Sequence, residues 1–314
     1  MRNPLACSKR PAMDGSVARP RPFLALLFRL ATAGALATMA MLLKVAGTRG
    51  VHLVELVFWR QAITLALVVA LLATIGKLRT LKTHRIGSHA RRAFTGLTGM
   101  FFVYGAVMLL PLAEATAISF TTPFFAVMLA VILFREKIGI YRWGAVALGF
   151  CGVLVIVQPG NLALDPFGLA VGLVAAFLVA LISFQIQDLN KTEPPWSIVF
   201  WFTALTVPVM ALALPFVIVS HDITTWGIII AMAVFGALGQ ILLTSSLRFG
   251  SAAVIIVIDY TSLLWATFYG WAVFERIPGA SLWLGAPLII GAGLLIAYRE
   301  RALSRAKASS STAQ

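Results

Sequence analysis

Long apolar runs, each closed off by a charge, a glycine or a proline, make up almost the whole chain between residues 24 and 298. Ten such runs can be cut: 24–46, 51–75, 94–110, 113–134, 141–157, 166–187, 196–219, 226–247, 251–274 and 281–298. An α-helix rises about 1.5 Å per residue, so about 20 apolar residues cross the hydrocarbon core of a bilayer. The pattern predicts an all-α membrane protein with ten transmembrane helices. Several turns are only a few residues long. The division at Pro111 is the least marked, because hydropathy is nearly continuous across it.

Composition agrees with lipid as the solvent. Of 314 residues, 60% are hydrophobic and 11% charged, against about 45–50% and about 25% in soluble domains. So few charges cannot cover a water-soluble surface of this size, whereas in a bilayer each helix satisfies its own backbone and turns side chains to lipid. The net charge of +14 would by itself suit a nucleic-acid binder. The basic residues, however, sit in 1–22, 77–92 and 299–307 rather than on one folded face. With the N-terminus in the cytoplasm, the cytoplasmic segments hold 20 Lys and Arg, and the opposite loops hold only Arg49 and Arg276. That bias predicts a multi-pass inner (plasma) membrane protein with both termini cytoplasmic, and no nucleic-acid partner.

Residues 1–22 hold five basic residues and four prolines and read as a disordered cytoplasmic tail, and 299–314 as a second, basic one. The first apolar run lacks a small-residue cleavage signal and reads as helix 1 rather than a leader. Cys7 and Cys151 are too few for a disulfide framework or a zinc site.

A shift of 139 residues superimposes Glu136-Lys137-Ile138 on Glu275-Arg276-Ile277, and with them Ala113 on Ala252, Thr122 on Thr261 and Gly152 on Gly291. Phe58-Trp59 in helix 2 is echoed by Phe200-Trp201 in helix 7 at a slightly larger offset. The halves are then 23–158 and 159–298. Five helices per half is an odd number, so the second half starts on the opposite side of the membrane. The two become inverted repeats about an axis in the membrane plane, an arrangement by which many carriers build two states of similar energy.

Several stretches resemble a known family. Leu110-Pro-Leu-Ala-Glu-Ala-Thr-Ala-Ile-Ser-Phe-Thr-Thr-Pro-Phe-Phe125, Phe134-Arg-Glu-Lys-Ile138, Arg142-Trp143 and Gly149-Phe-Cys-Gly-Val-Leu-Val-Ile156 are similar to the EamA-like family of the drug/metabolite transporter superfamily. Phe58-Trp-Arg60 is similar to that family's aromatic-x-Arg in helix 2, while in the second half only Phe274-Glu-Arg-Ile277 fits well. The resemblance covers roughly 24–298 and implies an inner-membrane carrier with a central cavity between two inverted five-helix halves. Family members move amino acids, nucleosides, cofactors and drugs in either direction, so the resemblance leaves the cargo open.

An ionisable side chain at the bilayer centre costs about 3 kcal/mol on insertion scales, so each one requires a reason. Arg60 lies about 13 Å into helix 2. Asp259 reaches a similar depth in helix 9 from the other side, and the two are the candidate pair facing a substrate. Glu114 sits near the outer end of helix 4, where it either binds a proton or cationic group or lies at the interface. Lys44, Glu55 and Arg29 read as snorkelling side chains. Trp59, Tyr104, Gln185, Trp201, Gln240, Tyr260 and Trp265 fall within spans and together suit a polar, aromatic-lined cavity. Spacings of four small residues, Gly168/Gly172, Ala145/Gly149 and Ala233/Ala237, predict close helix packing.

The function this supports is a secondary active transporter, or permease, moving a small metabolite such as an amino acid, a nucleoside-like molecule or a cofactor by alternating access. Its partners are that substrate, the lipid bilayer and protons as a coupling ion; no cofactor is called for. The alternatives are channel-like or intramembrane enzyme activity. Neither a His-Glu-x-x-His nor a Gly-x-Ser-x-Gly is present, the four histidines are scattered, and no phosphate-binding Gly-rich loop points to ATP, so catalytic and metal-ligating residues are assigned to none.

Overall fold

A computed structural model describes residues 22–134, 140–157, 165–249 and 261–311, which contain helices and connecting turns but no strand. The helices are α1 (Pro22–Thr48), α2 (Leu53–Thr74), α3 (Ile86–Leu109), α4 (Leu112–Ser119), α5 (Thr122–Phe134), α6 (Ile140–Val157), α7 (Pro166–Leu189), α8 (Pro195–Ala213), α9 (Ile223–Phe249), α10 (Thr261–Phe274) and α11 (Ala280–Ser311). Short 3₁₀ turns follow α2 at Leu78–Leu81 and α8 at Leu214–Phe216. Among the described residues, seven stretches are long and apolar enough to cross a membrane: Leu30–Thr48, Leu53–Thr74, Ile86–Leu109, Leu112–Ile132, Pro166–Leu189, Pro195–Phe216 and Ile223–Leu243. Trp143–Ile156 and Ala280–Leu295 are shorter apolar helices.

Local chemistry sets the ends. Asp165 caps α7 by accepting from Phe167 N at 3.1 Å and Gly168 N at 3.0 Å, with Pro166 at the first helical position, where no N–H is needed. Gly50 and Gly76 take φ of +82° and +65° in the turns after α1 and α2, a region open to glycine at little cost. Glu275 adopts φ of 53° as α10 stops, with its N–H donating to Trp271 O and the Arg276 N–H to Gly270 O. Sequence predicts one helix over 113–134, but the backbone is broken between Ser119 and Thr122. Pro123 has no N–H to give Ser119 O, and the Thr122 hydroxyl takes that carbonyl instead at 2.7 Å.

Two boundaries differ from expectation in ways that matter. Helix α3 begins at Ile86, eight residues before the apolar run that predicts it, and brings His89 and Arg92 into the bundle interior. Helix α11 continues through the basic segment as far as Ser311, where the sequence reads as a tail.

In space, α1 lies along α9 and α10, α3 along α7 and α8, and α2 along α8 and α9. Helix α7 also meets α4 and α5, α4 meets α10, and α6 pairs with α11. Small residues allow the closest approaches: Gly168 and Gly172 receive Leu110 and Ile118, Gly149 receives the Phe124 ring, and Ala233 and Ala237 are almost fully buried.

Lys44 does not snorkel. Its Nζ donates to Val107 O at 2.8 Å, Met108 O at 3.3 Å and Leu110 O at 2.6 Å, the carbonyls left without amide partners where Pro111 ends α3. Lys44→Met orphans these acceptors and is expected to destabilise the protein by about 1–3 kcal/mol in a denaturation titration in detergent. A change under about 0.5 kcal/mol, the usual effect of a surface substitution, would restore the snorkelling reading.

Candidate functional site

A polar seam runs between α2, α3, α8 and α9, and Arg60 lies inside it, only 5% exposed. Its orientation is fixed by a chain of bonds with a single sense. Thr206 Oγ1 donates to Phe202 O at 2.7 Å, and so accepts from Gln61 Nε2 at 2.7 Å. The Gln61 carbonyl oxygen is then turned to accept from Arg60 Nη1 at 2.9 Å. Arg60 Nη1 also touches Met100 Sδ, and Nη2 reaches Gln240 Oε1, both at 3.5 Å. Gly236 of α9 makes room for the side chain, since a Cβ there would stand 3.1 Å from Arg60 Nε and 2.9 Å from Met39 Sδ. Tyr104 adds its hydroxyl to the same wall, 3.7 Å from Met39 Sδ.

Arg92 enters the seam from α3 and is also 5% exposed. Its guanidinium lies over the Phe202 ring at 4.4 Å, a cation–π contact, and flat against Gly96, where any Cβ would overlap Nη1. Arg60 Nε and Arg92 Nε and Nη1 are buried without a hydrogen-bond partner.

Each end of the seam carries a glutamate, a histidine and a tryptophan. At the start of α2, fully buried Glu55 bonds His221 Nε2 at 2.9 Å and accepts from Trp59 Nε1 at 3.3 Å, while the Trp59 and Trp226 rings meet edge to face. At the start of α8, Glu193 accepts from Thr83 Oγ1 at 2.5 Å and from Ser197 Oγ at 3.2 Å. His89 Nε2 stands 3.9 Å from Glu193, and the His89 ring tilts over Trp201. Arg85 lies beyond, paired with Asp188 at 2.5 Å.

Of the residues singled out in sequence, Arg60, Tyr104 and Gln240 come together in the seam, and Trp59 and Trp201 flank it at opposite ends. Trp201 is anchored there by Nε1 donating to Leu81 O at 2.9 Å. Gln185 is apart, on α7, accepting from Thr95 Oγ1 at 2.6 Å. Trp265 stacks on Tyr269 beside Gly34 and is 37% exposed. Glu114 occupies the first turn of α4 and interacts electrostatically with Arg276 and Lys44. Asp259 and Tyr260 lie outside the described residues.

Sequence reasoning misses Gln61, Arg92, His89 and Glu193. Gln61 had a signal, being a buried-depth amide next to Arg60. Arg92 and His89 were hidden by the late placement of α3's start, which counted them as part of a basic loop. Glu55, taken for an interfacial side chain, is 0% exposed.

The pattern of the EamA-like transporter family matches residues 23–158 and again 166–298. A riboflavin transporter of Brucella anthropi is 31% identical over 268 residues, covering 83% of this chain and 93% of that relative. A riboflavin transporter of Vibrio cholerae is 30% identical, covering 78% and 83%. An S-adenosylmethionine uptake transporter of Rickettsia felis is 31% identical, covering 83% and 88%. One crystal structure superimposes with a TM-score of 0.61 at 20% identity, over 88% of this chain and 97% of its own, a likeness of fold.

Proposed function

Since this chain belongs to the EamA-like transporter family and is a multi-pass membrane protein, we propose that it is a secondary active carrier working by alternating access. Ten membrane spans, α4 and α5 forming one, make two inverted five-helix halves, and a small metabolite binds between α2, α3, α8 and α9.

The observation that carries this reading is an exchange symmetry in the packing. Numbering each half one to five exchanges α1 with α7, α2 with α8, α3 with α9, the α4–α5 pair with α10, and α6 with α11. The contact of α1 with α9 then becomes that of α7 with α3, α2 with α9 becomes α8 with α3, and α1 with α10 becomes α7 with α4 and α5. The pairs α2 with α8, α4 with α10 and α6 with α11 map onto themselves.

One exchanged pair, α2 and α8, also runs in opposite senses. Helix α2 starts at the end that holds Glu55 and His221, and α8 at the end that holds Glu193 and His89. Gly96 and Gly99 of α3 match Gly236 and Gly239 of α9: a Cβ at Gly99 would press on Ile182 of α7, and one at Gly239 on Leu36 of α1. The doubled family match supports the same division.

A glutamate–histidine–tryptophan cluster stands at each end of the seam, which suits a carrier that opens to either side. These clusters also supply protonatable groups at each end, which suits proton coupling. The charge bias of the loops supports the inner membrane with both termini cytoplasmic.

The relatives' names suggest planar, metabolite-sized cargo of the flavin or nucleoside class, with riboflavin as the first probe. Purified protein in proteoliposomes is expected to take up labelled riboflavin or a related cofactor against its gradient when a pH gradient is imposed, and a protonophore is expected to abolish accumulation. Single-channel conductance or covalent turnover of the substrate would sink the carrier reading.

A further inference from the structure

We propose that Arg60 and Arg92 together bind one anionic group, a carboxylate or a phosphate, on the transported molecule. The proposal rests on the carrier reading and adds to it the charge of the cargo.

Two rulers place the guanidiniums one helical turn apart. On α3, Arg92 lies against Gly96 and Arg60 against Met100. On α8, Arg92 lies over Phe202, while the chain from Arg60 through Gln61 ends on Thr206. Four residues of helix separate each pair, about 6 Å of rise. Both side chains remain cationic wherever they are placed, so the seam holds two like charges at close range.

Among the described residues, the four helices that form the seam do little to neutralise either. Across α2, α3, α8 and α9 the sequence offers a single carboxylate, Glu55, five residues before Arg60 and about 7.5 Å along the axis. That carboxylate is held through Oε1 by His221 and Trp59, while its Oε2 is buried without a partner. The acid beyond the other end, Glu193, accepts from Thr83 and Ser197.

An arginine that merely ties helices together spends all its donors on them, whereas Arg60 spends only its terminal nitrogens, on Gln61, Met100 and Gln240. Here Arg60 Nε and Arg92 Nε and Nη1 are buried and unused, although both side chains are positioned from other directions. Phe202 holds one face of Arg92, leaving the edge with its N–H groups to a ligand. Oxyanions are the ligands whose lone pairs match guanidinium edges two at a time. A neutral ligand would leave the repulsion standing, and a cation would add to it.

Matched pairs of probes that differ by one anionic group test this: riboflavin against riboflavin 5′-phosphate, and nicotinamide against nicotinate, read by thermal shift on the full chain in detergent. The anionic member of at least one pair should bind at least tenfold more tightly than its neutral partner, the phosphate and carboxylate arms showing which group the site takes. Arg92→Gln and Arg60→Gln should each remove that preference, and Arg92→Lys should retain part of it. Equal binding of both members, preference surviving both glutamine variants, or no shift with any probe at millimolar concentration overturns the assignment. Uptake of the neutral members into vesicles would at the same time leave the carrier reading intact.

Discussion

Arg60→Met is expected to lower substrate uptake into proteoliposomes about 100-fold or more. The loss of one partner from a buried, hydrogen-bonded charge contact is worth about 2–5 kcal/mol, and about 1.4 kcal/mol is a factor of ten. In this protein the side chain is 5% exposed and engages Gln61, Met100 and Gln240 on three helices at once. Methionine fills much of the volume but leaves the Gln61 oxygen without its donor. Arg60→Lys retains the charge without the fork and should recover only part of the flux. Arg49→Ala is the control: its pairing with Asp222 at 3.8 Å is between exposed side chains, which are worth little, and uptake should change less than twofold. Undiminished uptake in Arg60→Met, with the protein correctly folded, would remove Arg60 from the site.

Gly285→Ala is expected to be among the most destabilising single-methyl changes in the chain. Helices α6 and α11 touch backbone to backbone: a Cβ at Gly285 would stand 2.6 Å from Gly152 O and 2.5 Å from Ile156 Cγ1. A Cβ at Gly152 would stand 2.9 Å from Gly285 O. A carbonyl in a helix cannot rotate aside as a side chain can, so the whole pair must separate. Overfilling a packed interior costs about 1–3 kcal/mol, and the loss of contact along the α6–α11 pair places this change at the upper end. Gly291→Ala, on the same helix with nothing within 4 Å of the new methyl, should stay within about 0.5 kcal/mol of the parent. Equal unfolding midpoints for the two variants would refute the account. The double variant Gly152→Ala with Gly285→Ala should fall short of the sum of its parts, because the first methyl already parts α6 from α11.

Arg60 was visible in the sequence because a lone charge halfway along an apolar run needs a partner, whatever the fold. Its neighbour in space, Arg92, was not. A helix that begins in a basic segment carries no hydropathy signal for its first two turns, and the eight residues by which α3 outruns its apolar stretch hold both His89 and Arg92. Lys44 and Glu55 flank a short turn in the same manner along the chain, yet one caps the end of α3 and the other is sealed beside His221. The difference lies in what other helices bring to each, and no local pattern encodes that.

The family was legible from the stretches that resemble it, and the run of apolar helices and the close packing at small residues from run length and spacing, because lipid enforces these last two directly. Which face of each helix turns inward was not. Leu67 is 41% exposed and Val68 fully buried on the same turn of α2, and both are apolar, since lipid and a packed interior accept the same side chains. In water the two faces would differ in polarity and the sequence would mark them. In a bilayer that contrast vanishes, so only the tertiary structure decided that α2, α3, α8 and α9 turn two arginines toward one another.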